Sequence, residues 1–185
     1  MGREVIKVIR SNRRTISLEI PSTGDILVRA PRHMSETEIR AFVESKSSWL
    51  AKHLQKQEED RDLLQAEGLF TDQEIERLLK LARQVISEKV AYYARLMGVT
   101  YRRISIRKQK TRWGSCSREG NLSFNCLLMM APPEVLDYVV VHELSHRLEM
   151  NHSSRFWAQV EKVIPDYRNP RKWLKEHGGK LMMRM

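Results

Sequence analysis

The chain has 185 residues, of which 41% are hydrophobic and 30% are charged, and this composition excludes a mainly disordered protein. The length fits one domain, or a compact domain with a small appendage. The 33 Lys and Arg residues outnumber the 23 Asp and Glu residues, and the net charge of +10 raises the question of phosphates, nucleic acid or an anionic membrane surface as partners.

The first part of the chain predicts a small antiparallel β-sheet. In residues 14–20, apolar side chains alternate with polar ones, which is typical of a strand with one buried face. Residues 4–10 and 25–30 have the composition of neighbouring strands, and the segment 21–24 contains the Pro and Gly expected of a turn.

A capping box at Ser35 and Glu38 predicts the start of a helix that extends to about residue 56. The charged segment 57–62 follows, and we interpret it as a helix end that runs into a short linker. We expect the chain to have three parts: an N-terminal antiparallel sheet with a helix at 1–60, a larger domain at 61–178 and a frayed tail at 179–185.

The larger domain is predicted to contain several helices and two short strands. Thr71 and Glu74 form a second capping box, which predicts a long amphipathic helix that ends near Gly98. The remaining elements are expected, in chain order, as strands at 101–108 and 121–128 and helices at 133–150, 153–164 and 168–177.

The sequence also indicates the compartment. The first residues have no apolar segment of signal-peptide length, and no run approaches the roughly 18 apolar residues that cross a bilayer. Cys116 and Cys126 form neither a CxxC pair nor a disulfide framework. We therefore expect a cytoplasmic protein with reduced thiols and no membrane partner.

The helix that starts at Pro133 carries His142, Glu143 and His146. Two His residues four positions apart differ by about 40° around a helix and by about 6 Å along it, so both imidazoles can reach one zinc ion. Glu143 follows the first His directly, from where its carboxylate can act as general base on a water molecule. The alternative is a buried helix that carries polar side chains on its solvent face.

His152 is the third candidate ligand. On a straight helix it would lie about 15 Å beyond His142, so it can bind the same ion only if the helix ends soon after His146. Asn151 tolerates the left-handed conformation that often ends a helix. Glu149 occupies the position of the metzincin Gly, so we do not predict a metzincin. Three protein ligands would leave one position for water, as a catalytic zinc site requires.

The sequence resembles the YgjP-type zinc metallopeptidase-like domain, a prokaryotic zincin group similar in style to SprT-like proteins. The segment 140–146, VVHELSH, carries the resemblance. Further matching segments are 110–116, 128–138, 151–153, 156–157, 165–167 and 171–174. The resemblance implies a zincin-like α+β fold, one zinc ion bound by His142, His146 and His152, and Glu143 as the catalytic acid and base. The His-Glu-x-x-His motif itself is the reason to expect peptide or protein substrates.

Several further residues are candidates for lining the site. By analogy with zincins, the strand that begins at Asn121 could hold an extended peptide, and an ordinary core strand is the alternative. Arg112, Tyr138 and Tyr167 are candidates for stabilising an oxyanion, and the spacing selects none of them. Trp113 either shapes the cleft or packs in a structural turn.

Basic residues cluster around residues 102–118 and 168–175, as a solvated face or as a groove that follows phosphates. Tyr101 and Trp113 are the aromatic residues near enough to stack on bases. The leading hypothesis is a zinc-dependent peptidase. The alternatives are a metal-dependent nucleotide pyrophosphohydrolase at the same site, and a nucleic-acid-associated binding protein with weak or absent peptidase activity.

Overall fold

The computed structural model describes residues 6–21 and 26–185. The chain divides into two compact units, Met1–Ala66 and Glu67–Met185. Both combine helices with a three-stranded sheet, and the predicted α+β class is confirmed. In the part of the chain that the structure describes, no helix has the length and apolar character needed to cross a membrane.

The first unit contains a mixed sheet rather than the antiparallel sheet that we predicted. Its strands are β1 (Ile6–Ser11), β2 (Ser17–Glu19) and β3 (Ile26–Pro31), in the order β1-β3-β2. β2 is antiparallel to β3, but β1 is parallel to it. β3 takes the centre because its apolar side chains are the most buried of the sheet. Alternation predicts which face of a strand is buried but does not identify its partner. The predicted turn at 21–24 lies mostly outside the described residues.

Two helices replace the single one predicted after residue 35. The capping box of Ser35 and Glu38 opens α1 (Glu36–Ser45), and α2 (Ser47–Glu67) follows after Lys46. The charged segment 57–62, predicted as a helix end and linker, lies inside α2, because no Gly or Pro interrupts the helix before Gly68. Ile39, Val43 and Leu50 form the core of this unit with the buried side chains of β3.

The second unit begins with α3 (Asp72–Met97), as the sequence predicts. Thr71 and Glu74 form the capping box, and Gly98 ends the helix in the left-handed conformation at φ 66°. The buried side chains of α3 recur at helical spacing and pack in the main core of the unit. This helix supports the sheet and the helix that carries the histidines.

The second sheet has the order β4-β6-β5, with β4 (Arg103–Arg107), β5 (Gly114–Cys116) and β6 (Asn121–Asn125). β6 is parallel to β4 and antiparallel to β5. The strand predicted at 121–128 ends at Asn125, and Cys126–Met130 forms a 3-10 helix. β6 is central, so of the two alternatives that we left open for this strand, the structure supports the ordinary core strand. In the described part of the fold, the outer strands of this sheet are β4 and β5, and β5 is a strand that the sequence interpretation missed.

Three helices complete the unit: α4 (Pro133–Ser145), α5 (Ser154–Val163) and α6 (Arg168–Met183). The segment 179–185, predicted as a frayed tail, is helical to Met183 and ends at a buried Met185. The backbone N–H of Phe70 donates to the carbonyl of Arg184 at 2.8 Å, which ties this end of the chain to the residues before α3. Gly178 and Gly179, where we predicted the end of the helix, therefore lie inside α6.

Candidate metal centre

His142 and Glu143 lie in the last turn of α4, which is buried along most of its length. The helix ends at Ser145, five residues earlier than predicted, and His146 is its C-cap. The backbone N–H groups of Leu148 and Glu149 both donate to the carbonyl of Ser145 at 3.0 Å. The early end allows the chain to turn back toward the helix.

Arg147 fixes the turn that follows α4. Its guanidinium donates to the carbonyls of Thr100, Ser117 and Arg118 at 3.0, 3.3 and 2.8 Å. Among the described residues only glycines have a positive φ, so the left-handed conformation that we expected at Asn151 is not used. The reversal depends on side-chain anchoring instead, and no short sequence motif predicts it.

The turn brings His152 to the other two histidines. Ring nitrogens of His142, His146 and His152 all lie within 4.8 Å of one another, and Nε2 of His142 is 3.0 Å from Nε2 of His152. Ligands of a tetrahedral zinc ion at 2.0–2.1 Å are about 3.3 Å apart. The three imidazoles are therefore spaced closely enough to share one ion.

The protonation of His142 and His146 suits metal binding. Burial lowers the pKa of His142 to about 3, and it also lowers the pKa of His146, so both rings are neutral near pH 7. Nδ1 of His146 donates to the carbonyl of Glu149 at 3.1 Å, which leaves the lone pair on Nε2 available. Nδ1 of His142 is buried without a hydrogen-bond partner among the described residues.

Phe156 packs against the whole histidine cluster. Its ring centroid lies 4.9, 4.6 and 4.8 Å from those of His142, His146 and His152. The Phe156 side chain is fully buried at the start of α5. It limits the rotation of all three candidate ligands.

Glu143 is held beside this cluster by the backbone of β5. The side chain is only 5% exposed, and burial raises its pKa to about 8, against a smaller lowering by the charge of Arg112. A Cβ atom at Gly114 would lie 2.5 Å from Oε1 of Glu143, so only glycine leaves room for the carboxyl group. A cation at the histidines would favour the ionised carboxylate.

The histidines and Glu143 border an open cleft of about 270 Å³, which we call the metal cleft. The other side of the cleft is formed by the three residues of β5 and by Met150. Within the described part of the fold, β5 pairs only with β6, so its second edge is unpaired. The signal for β5 was weak, since a strand of three residues between turns has almost no periodicity.

The other predicted site residues lie outside the lining of this cleft. Trp113 packs near Gly178 of α6, while Arg112 and Asn121 border a neighbouring groove. The ring of Tyr138 lies 5.7 Å from His142, and burial raises its pKa to about 12. Tyr167 stacks on Trp157 and Tyr138, at centroid distances of 5.2 and 6.5 Å.

Comparison with solved structures finds two metallopeptidase zymogens. Abylysin from Pyrococcus abyssi is 24% identical over 49% of this chain and 94% of its own, with a TM-score of 0.45. Jannalysin from Methanocaldococcus jannaschii is 19% identical over 50% of this chain and 97% of its own, with a TM-score of 0.43. No curated protein is significantly similar to the chain.

The YgjP-like metallopeptidase domain matches residues 14–77 and 71–177. These two segments include the histidine cluster, Glu143, the whole second sheet and strands β2 and β3 of the first, and together they extend over most of the sequence. The match confirms the resemblance that the HELSH segment predicted. This chain therefore belongs to the YgjP-like metallopeptidase family and is a metal-dependent hydrolase.

Proposed function

We propose that this protein is a zinc-dependent peptidase in which His142, His146 and His152 bind one ion and Glu143 is the general base. The observation that carries the proposal is a buried carboxyl group beside three imidazoles whose nitrogens lie within 4.8 Å of one another. Three nitrogen ligands suit zinc, whereas magnesium and calcium prefer oxygen. A bound zinc ion polarises a carbonyl group and makes a water molecule acidic near neutral pH.

Glu143 is suited to move the proton. Its carboxylate would accept a proton from the attacking water and later donate it to the amine nitrogen of the leaving product. The close contact with Gly114 limits the directions in which the carboxyl group can point. Burial raises the pKa of Glu143 to about 8, against a smaller lowering by Arg112, and the charge of a bound metal ion would favour the ionised form that accepts a proton.

The free edge of β5 supports a peptide as the substrate. An unpaired strand edge presents N–H and C=O groups that an extended peptide can bind by strand addition. Gly114, Ser115 and Cys116 all border the cleft that contains the histidines and Glu143. A peptide bound along β5 would therefore pass beside the metal ligands.

Metal content tests the ligand assignment. We expect one zinc ion per wild-type chain, measured by mass spectrometry of the purified protein, and a large loss in His152→Ala because one of three ligands is removed. His177→Ala is the matched control, since His177 is exposed on α6 and its ring bonds to the carbonyl of Trp173. Wild-type zinc content in His152→Ala would contradict the proposal.

A further inference from the structure

The sheet of the second unit has two chemically different faces. Ile104, Ile106, Leu122 and Phe124 point into the main core. Because side chains alternate along a strand, Arg103, Ser105 and Arg107 of β4 lie on the opposite face. The strand register places Ser105 and Ser115 on either side of Ser123. A row of three hydroxyl groups thus crosses the sheet from β4 to β5, and Arg103 and Arg107 flank the end of the row that lies on β4.

The arginines and serines of this face border a groove of about 380 Å³, which we call the outer-face groove. Arg112 joins Arg103 and Arg107 in its lining, which contains no carboxylate. Among the described residues, none of these three exposed arginines forms an ion pair. Oγ of Ser123 is buried and has no hydrogen-bond partner there. The groove therefore offers positive charge and the hydroxyl of Ser123, and its lining supplies no carboxylate of its own.

The outer-face groove adjoins the metal cleft. Ser115 and Cys116 line both spaces, and β5 is the strand between them. The side chains of an extended peptide along the edge of β5 would point alternately to the two faces of the sheet. Every second side chain would then lie on the same side as the arginines.

We propose that the outer-face groove recognises acidic side chains, so that the preferred substrates are extended peptides with Asp or Glu at alternate positions near the scissile bond. Arginine binds a carboxylate with two parallel hydrogen bonds, and serine hydroxyls can donate further ones. This inference rests on the proposed peptidase function. It names the substrate class and the residues that select it.

The composition of the groove favours a peptide over a nucleic acid. Its lining contains no aromatic ring on which a base could stack. Of the two aromatic residues that the sequence suggested for stacking, Tyr101 is outside the lining and Trp113 packs near Gly178. Direct continuity with the metal cleft is expected of a substrate subsite.

Peptide binding tests the groove separately from catalysis. We would measure fluorescence anisotropy of a labelled short peptide in which Glu alternates with Ala, and of its Gln-for-Glu counterpart, with full-length Glu143→Gln protein. The acidic peptide should bind about tenfold more tightly, and the preference should weaken with salt. When Arg103→Gln and Arg107→Gln are added to the Glu143→Gln protein, the difference in affinity between the two peptides should fall to about twofold or less.

The control variant adds Arg77→Gln and Arg83→Gln instead, which removes the same charge from exposed positions of α3. It should keep the acidic preference. Equal binding of the two peptides, or an equal loss in both arginine pairs, would overturn the inference. Displacement of the labelled acidic peptide by a single-stranded oligonucleotide, at a much lower concentration than the unlabelled acidic peptide requires, would also overturn the inference. The ligand would then be a phosphate backbone.

Hydrolysis of the same peptides by the wild-type protein separates the two proposals. Cleavage without an acidic preference would contradict the groove assignment and leave the peptidase function supported. Tight acidic binding in the outer-face groove without cleavage of any peptide would contradict the peptidase function instead. Selective cleavage of the acidic peptide that is lost on Arg103→Gln and Arg107→Gln substitution would support both.

Discussion

Glu143 and Gly114 illustrate how a single contact can position a reactive group. The carboxyl group of Glu143 fills the space that a side chain at position 114 would occupy. Burial of that carboxyl group raises its pKa to about 8, so the fold keeps an ionisable group where it is costly unless a cation lies beside it. This arrangement is typical of a functional site rather than of a structural core.

Gly114→Ala tests this contact. The new methyl group would lie 2.5 Å from Oε1 and 2.7 Å from Cγ of Glu143, so the carboxyl group must move. We expect peptide hydrolysis to fall about 100-fold, since a misplacement of about 1 Å has effects of that size, while zinc content stays the same. Gly179→Ala is the control, because a Cβ there meets nothing within 4 Å. Unchanged hydrolysis in Gly114→Ala would contradict the positioning role.

Individual site residues differed in how well they could be predicted. The spacing of His142 and His146 is enough to bring them to one face of a helix, and the structure has them within ligand distance. The position of His152 depends on Arg147, whose hydrogen bonds reach Thr100 and residues of the turn before β6. Such long-range anchoring leaves no periodic signal in the sequence.

Among the elements, those with strong local signals were predicted best. The α3 helix has a complete capping box and a glycine C-cap, and both were evident in the sequence. β5 has three residues, too few for a pattern, although it separates the metal cleft from the outer-face groove. The parallel pairing of β1 with β3 is determined by tertiary structure, and the alternation of side chains within one strand does not predict it.

The capping box of α3 predicts a specific pH dependence. Hydrogen bonds from the backbone and side chain of Thr71 lower the pKa of Glu74 below its ordinary value of 4.5. Between the lowered pKa and 4.5 the unfolded chain binds more protons, so this stabilisation is present above pH 4.5 and is lost as the pH falls through the folded pKa. We therefore expect a shallower acid-side loss of unfolding free energy in Glu74→Gln than in the wild type.

Chemical denaturation at a series of pH values checks this expectation. Glu76→Gln provides the control, because Glu76 is exposed on the same helix but outside the capping box. Its stability should follow that of the wild type as the pH falls below about 4.5. Identical acid-side slopes for wild type and Glu74→Gln would show that the capping carboxylate does not contribute.

At the scale of the whole molecule, the site belongs to one of the two compact units. Every residue of the metal cleft and of the outer-face groove lies within Glu67–Met185. Part of the net charge of +10 is concentrated at one place, because Arg103, Arg107 and Arg112, which form no ion pair with any described residue, line the outer-face groove beside the cleft. The charge does not define the chemistry, but we expect it to influence which peptides approach.

The location of the site predicts that residues 67–185 bind metal on their own. This segment contains the main core and all candidate ligands. We expect the isolated segment to fold, by circular dichroism, and to bind zinc with the stoichiometry of the full chain. Because a ligand that binds the folded state stabilises it, removal of zinc by a chelator should lower its melting temperature. A segment that folds but binds no zinc would contradict this expectation.

We propose that Glu143 moves the proton in zinc-dependent peptide hydrolysis by this chain. The most direct measurement is the rate at which zinc-loaded wild type and Glu143→Gln cleave the same unfolded protein. A general base typically contributes a factor of about 100 to 10,000, so Glu143→Gln should be slower by at least the lower value while it retains bound zinc. Wild-type rates from zinc-loaded Glu143→Gln would contradict the account.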